Sequence, residues 1–161
     1  SQIAFTDRLP DPPNGRTPLT IDFESGLYFH AEQDGLLLGW ADPDDPETYD
    51  CTFRLEKWLM HVGDIAAVRL PQVLDCGIRT GWAGLYERTP DHNPIIGRAP
   101  ELDGFIIAAG FSGHGFMMAP ATGEIVRDLH LRRTPGFDID GFAADRFATA
   151  GAVPVPERNV F

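Results

Sequence analysis

At 161 residues with 43% apolar side chains, the chain has the length and core material of one ordinary domain. A formal net charge of −11, with no Lys/Arg run longer than Arg132-Arg133, repels phosphate backbones and argues against nucleic-acid binding. No apolar run is long enough to span a membrane, and Cys51 and Cys76 alone form neither a disulfide framework nor a metal knuckle; no metal site is expected, and a reducing, cytoplasmic setting is.

The opening residues, Ser1-Gln2-Ile3-Ala4-Phe5, already read as a strand, with no initiator methionine and no charged leader, as expected of a piece of a longer chain. A strand over Gln2–Thr6 is followed by turn chemistry in Pro10-Asp11-Pro12-Pro13-Asn14-Gly15. Strands are predicted at Leu19–Phe23, Leu27–His30 and Leu36–Trp40, joined by the hairpin-length links Glu24-Ser25-Gly26 and Gln33-Asp34-Gly35. The acidic, proline-broken segment Ala41–Pro46 reads as a solvated loop; it lacks the ligand spacing of a calcium loop. A helix fits Phe53 to about Arg69, with Leu55, Trp58, Leu59, Val62, Ile65 and Ala66 on one core-facing stripe and Pro71 as its far limit.

In the second half, Ile78–Thr89 reads as a strand carrying Trp82 and Tyr86, and Asn93–Gly97 as a short apolar piece. Phe105–Ala109 is continuously apolar, the pattern of a strand buried on both faces. It leads through Gly110-Phe111-Ser112-Gly113-His114-Gly115-Phe116 into a helix from Met117 to about Leu131, on which Met118, Thr122, Ile125, Val126 and Leu129 share a face and Pro120 falls in the first turn. The Pro-, Gly- and Ala-rich remainder, 132–161, is expected to wrap loosely or fray. Trp40 and Trp82 are assigned to the core.

A buried strand, a glycine-rich turn and a helix start together leave backbone N–H groups and a partial positive charge open to an anion, or to a group that becomes anionic. Tested against three motifs, the turn fails each. It has no lysine for a phosphate loop, Met118 stands where a dinucleotide fingerprint needs its third glycine, and His114 stands where a hydrolase elbow closes with glycine. An anion or cofactor cradle and a simple tight turn both remain open. So does, as a minor alternative, an acyl hydrolase using Ser112 and His114.

The same segment, with Ile107-Ala108-Ala109 before it, resembles the C-terminal flavin-contacting motif of the FAD-dependent D-amino-acid oxidase/sarcosine oxidase (glycine oxidase-like) family. The stretch Trp82–Gly97, and Gly26–Phe29 followed by Gly35–Pro43, are similar to the same family in the same order. The resemblance covers about residues 16–133 and implies an α+β chain. It would comprise an antiparallel substrate-domain sheet with a packing helix, then the terminal strand-turn-helix of a flavin-binding domain. The implied boundaries are 1–91 for a partial substrate domain, 92–133 for the C-terminal piece of the FAD domain and 134–161 for a tail. The glycine fingerprint that holds the ADP half of FAD is not in this sequence.

The resemblance further implies oxidation of the C–N bond of an amino acid or N-methyl amino acid. FAD would lie against Gly84, Gly110, Phe111, Ser112, Gly113, His114, Gly115, Phe116 and Met117. Tyr86 is implied near the substrate, with a core-facing strand aromatic as its alternative reading. His114 is implied near the flavin, with a backbone-bonding role as its alternative. Gly84 stands where covalently flavinylated relatives carry cysteine, so FAD is expected to be non-covalent. Leu37 replaces a lysine of oxygen-using relatives, and Met117 a lysine that binds the substrate carboxylate in some. The expected partners are an N-terminal FAD-binding part or partner subunit, a small amino-acid substrate and further copies of the chain. The rival expectation is a folded remnant that is inactive and binds no FAD by itself.

Overall fold

The computed structural model describes residues 1–11, 17–46, 48–148 and 156–157. It is a mixed α+β fold with two antiparallel sheets, dividing into two compact units, Ser1–Leu85 and Tyr86–Val160. Most of the predicted connection at 10–15 and much of the C-terminal end lie outside the described residues.

In the first unit, β1 (Gln2–Thr6) lies between β4 (Gly35–Trp40) and β5 (Ile78–Ala83), antiparallel to both. The sheet continues through β3 (Tyr28–Glu32) to β2 (Thr20–Ile21), giving the order β2-β3-β4-β1-β5. Alternation decides what is buried: Leu36, Leu38 and Trp40 point from β4 to one face, joined by Ala4, which pairs with Leu38. Helix α1 (Leu55–Arg69) covers that face with Trp58, Val62 and Ala66, and Leu70 and Val73 close the core beyond its end. Each large side chain taken from water here contributes about 1.5–3 kcal/mol.

Several expectations about this unit change. The second strand shortens to two residues, and β5 ends at Ala83, well before Thr89. The stripe on α1 is narrower than its sequence suggests: Trp58, Val62 and Ala66 are buried, while Leu55 and Leu59 stay exposed. Trp40 is in the core, its indole N–H donating to the Ser25 carbonyl at 2.9 Å, but Trp82 is 46% exposed. The acidic loop is not simply solvated, because Lys57 from α1 reaches back to Asp42 (2.7 Å) and Asp45 (2.6 Å), and the Asp42 side chain is only 5% exposed.

The second unit pairs β6 (Ile95–Arg98) with β7 (Ile106–Ala109) antiparallel, and α2 (Gly115–His130) follows β7. The strand-turn-helix is present, and two features differ from its pattern. Pro120 lies beyond the first turn of α2, and β7 is not enclosed: Ile106 and Ile107 are half-buried while Ala108 and Ala109 are exposed. Among the described residues β7 also pairs with β6 alone, so it is an edge strand. The predicted apolar face of α2 buries Ile125, with Asp128 unexpectedly beside it. The tail is tied down in part: short 3-10 turns at Asp140–Phe142 and Ala144–Phe147 lie close to β6.

Candidate functional site

The turn between β7 and α2 is built from unusual backbone. Gly110 (φ 72°), Ser112 (φ 51°) and Gly113 (φ 97°) all take the left-handed region. Two of the three are glycine, for which the conformation carries no Cβ penalty; Ser112 bears a cost of about 1–2 kcal/mol. Ser112 is also almost wholly buried, with its hydroxyl 3.4 Å from the Gly110 carbonyl. A hydroxyl held inside the turn is not an exposed nucleophile, which removes support from the hydrolase alternative.

Residues 86–93 form the floor of the turn, and three contacts define it. Ser112 donates its N–H to the Glu87 carbonyl at 3.2 Å. A Cβ at Gly113 would stand 3.2 Å from the Tyr86 ring, and one at Gly110 would stand 2.5 Å from Thr89 Cγ2. Tyr86 and Gly113 are thus brought together within one unit. Gly84 lies in the other unit, exposed past the end of β5, with its N–H on the Ser1 carbonyl and open space around its Cα. Leu37 belongs to that unit as well, half-buried on β4 opposite Phe5 and His30.

At the helix start, His114 is the capping residue but makes no side-chain cap to α2. Its ring Nδ1 lies 3.3 Å from the Phe111 carbonyl, a contact in which the Nδ1-protonated ring is the donor, and its backbone N–H bonds the same oxygen at 2.9 Å. The helical ladder begins only with the Met118 N–H on the His114 carbonyl. Among the described residues, no acceptor meets the N–H groups of Gly115, Phe116 and Met117. Phe116 (96% exposed) and Met117 (57%) carry these donors at the surface of the unit. Such an end suits an acceptor that carries or gains negative charge.

Behind the floor lies an ion pair that sequence reasoning missed. Asp91 is 3% and Arg146 9% exposed, and they meet in two bonds of 2.9 Å, Nε to Oδ2 and Nη2 to Oδ1. Arg146 also donates to the Asn93 carbonyl at 2.8 Å, and the Thr89 hydroxyl lies 2.7 Å from that carbonyl and 3.1 Å from Asp91 Oδ1. Burial alone would raise the Asp91 pKa. Hydrogen bonds from Arg146, the Asn93 amide and Thr89, together with the Arg146 charge, outweigh it and hold the group at about 2. The legible signal was the Asp91–Asn93 spacing, an Asx turn in which Oδ1 accepts the Asn93 N–H at 3.2 Å. Arg146 lies 55 residues along the chain and carries no such local signal.

The sequence model of the FAD dependent oxidoreductase (DAO) family matches residues 1–129. The chain belongs to that family. Human peroxisomal sarcosine oxidase is 35% identical over 119 residues, 66% of this chain and 28% of the human protein. The Xenopus laevis FAD-dependent oxidoreductase domain-containing protein 1 is 31% identical over 99% of this chain and 32% of its own length. Among solved structures, L-proline dehydrogenase from P. horikoshii superimposes with a TM-score of 0.77 at 33% identity, covering 91% of this chain and 39% of that one. The chain therefore spans about a third of the length of these DAO-family proteins. Its turn fits the family's cofactor in kind, offering acceptorless N–H groups and bare Cα positions rather than cationic side chains. No helix among the described residues is long and apolar enough to cross a membrane.

Proposed function

We propose that this chain is the C-terminal portion of a flavoprotein that oxidises the C–N bond of an amino acid or N-methyl amino acid. The observation that carries the reading is the set of N–H groups at Gly115, Phe116 and Met117, which meet no acceptor among the described residues, at a strand-turn-helix junction within a DAO-family chain. FAD, when bound, supplies the ring that accepts hydride and gains negative charge on its pyrimidine side. The chain's part is electrostatic: the three N–H groups and the α2 dipole stabilise that charge, by about 1–2 kcal/mol in a partly buried setting. Tyr86, held under Gly113, would offer its hydroxyl to a substrate carboxylate, and His114, its ring bonded to the Phe111 carbonyl, would lie beside the flavin. Gly110, Phe111, Ser112 and Gly113 shape the backbone that presents these groups.

Residues 1–91 are assigned to the substrate domain, 92–133 to the FAD domain and 134–161 to a tail. FAD is non-covalent, since Gly84 offers no nucleophile. Leu37 leaves an apolar group where a cation would favour reaction with oxygen, so a carrier other than oxygen takes the electrons. The setting is reducing and cytoplasmic, a reading supported by free thiols at Cys51 and Cys76. The small share of its relatives that the chain spans favours a second statement: alone, these 161 residues bind no FAD and need an N-terminal FAD-binding part or partner subunit. The pairing of β7 on one edge only among the described residues and the exposure of Phe105 support self-association of the isolated chain.

The test is purification of the full-length protein and of residues 1–161 side by side. The full-length protein is expected to be yellow, to release its flavin on acid precipitation, and to bleach anaerobically with one member of an amino-acid and N-methyl-amino-acid panel. The short chain is expected to be colourless and larger than a monomer by light scattering. A full-length protein that ignores added FAD overturns the proposal.

A further inference from the structure

We infer that the Arg146–Asp91 pair is a positioning device for the 110–117 turn, so that a 3-10 turn near the C-terminus sets how well the turn receives its ligand. The inference rests on the flavin reading of the turn and adds a residue outside it. Each contact in the chain of transmission is short. Arg146 clamps both oxygens of Asp91 at 2.9 Å and the Asn93 carbonyl at 2.8 Å. Thr89 bonds the same two acceptors, which fixes its side-chain rotamer. Its Cγ2 then stands against the bare Cα of Gly110, where the turn begins. The same floor carries the Glu87 carbonyl that takes the Ser112 N–H and the Tyr86 ring under Gly113.

Burial argues for this use. Thr89, Asp91 and Ser112 are each under a tenth exposed, and the Arg146 side chain is 9% exposed. A buried ion pair adds little net stability over apolar packing, while it fixes geometry closely. Ser112 is held in a left-handed conformation between two freely rotating glycines, and such a turn needs a backing to hold one conformation.

The test uses the full-length protein with Arg146→Met, Arg146→Lys and Thr89→Ser, the last leaving the ion pair intact and removing only the methyl facing Gly110. Amide exchange at Ser112 and His114, the two turn amides that are hydrogen-bonded, is read without FAD, and the FAD dissociation constant and visible flavin circular dichroism are read with it. Arg146→Met is expected to speed exchange at the hydrogen-bonded turn amides of Ser112 and His114 and to weaken FAD binding, each by about tenfold, with a changed dichroic band. Arg146→Lys restores part of both, and Thr89→Ser moves both in the same direction by less. If Arg146→Met does not fold, Thr89→Ser decides alone. Variants that melt earlier while exchange at Ser112 and His114, affinity and dichroism stay at wild-type values overturn the inference. A wild-type protein that binds no FAD defeats the flavin reading only, because the exchange comparison still judges the device.

Discussion

Gly110 rests its bare Cα on Thr89: a Cβ built there would come within 2.5 Å of the threonine Cγ2, and φ at 110 is 72°. Both facts forbid a side chain. Gly110→Ala is expected to destabilise the fold by about 2 kcal/mol in a urea titration, from left-handed strain plus overpacking. Gly123 is the control, since it sits in α2 with nothing within 4 Å of a new Cβ. Gly123→Ala should stabilise by about 0.5–1 kcal/mol. Equal effects at the two sites would refute the packing argument.

The Asp91 carboxyl has its pKa lowered from an ordinary 3.8 to about 2. A depressed carboxylate stabilises the fold above its unfolded pKa and loses that contribution as pH falls toward the folded value. The term is worth about 2 kcal/mol at neutral pH, is complete above roughly pH 4, and disappears between there and about pH 2. Asp91→Asn should flatten stability over that acid window. At pH 7 it should cost about 3 kcal/mol, because it leaves the Arg146 charge buried without its partner. A wild-type acid profile unchanged by Asp91→Asn would show that the pair is not formed in solution.

Tyr28 on β3 pairs in register with Gly39 on β4 and lays its ring over that residue, where a Cβ would collide with it. Gly39→Ala is expected to cost about 1–3 kcal/mol. The double change Gly39→Ala/Tyr28→Ala should cost less than the sum of the two single changes, because the collision is gone. Additive costs in thermal unfolding would contradict the contact.

Local chemistry was the readable part of this chain. Residues 2–6 announced β1 by their composition, and the glycine spacing at 110–115 announced the turn before α2. Burial was harder to read. Trp82, Leu55 and Leu59 look like core residues, because apolar character shows what a side chain tolerates and not which surface arrives to cover it. Phe105–Ala109 has the pattern of an enclosed strand, yet among the described residues it is paired on one edge only. The Asp91–Arg146 pair was invisible for a different reason: its partners lie 55 residues apart in segments that read as loop and loose tail. The candidate site was thus legible at its front, the turn, and not at its back.

Leu37 gives a functional prediction. Reduced full-length protein is expected to react slowly with oxygen, and Leu37→Lys to accelerate that step by about tenfold or more in stopped-flow reoxidation, since one charge in a low-dielectric site is worth more than 1.4 kcal/mol. Fast reoxidation of the unsubstituted protein would remove the role assigned to this position.

The most direct measurement of all follows the backbone amides of Gly115, Phe116 and Met117 while the full-length protein is titrated with FAD. Saturable slowing of exchange at these three positions, in step with the flavin absorbance of the bound form, is the result expected. Flavin binding that leaves them exchanging as before would contradict the account, because the cofactor would then be held somewhere other than the start of α2.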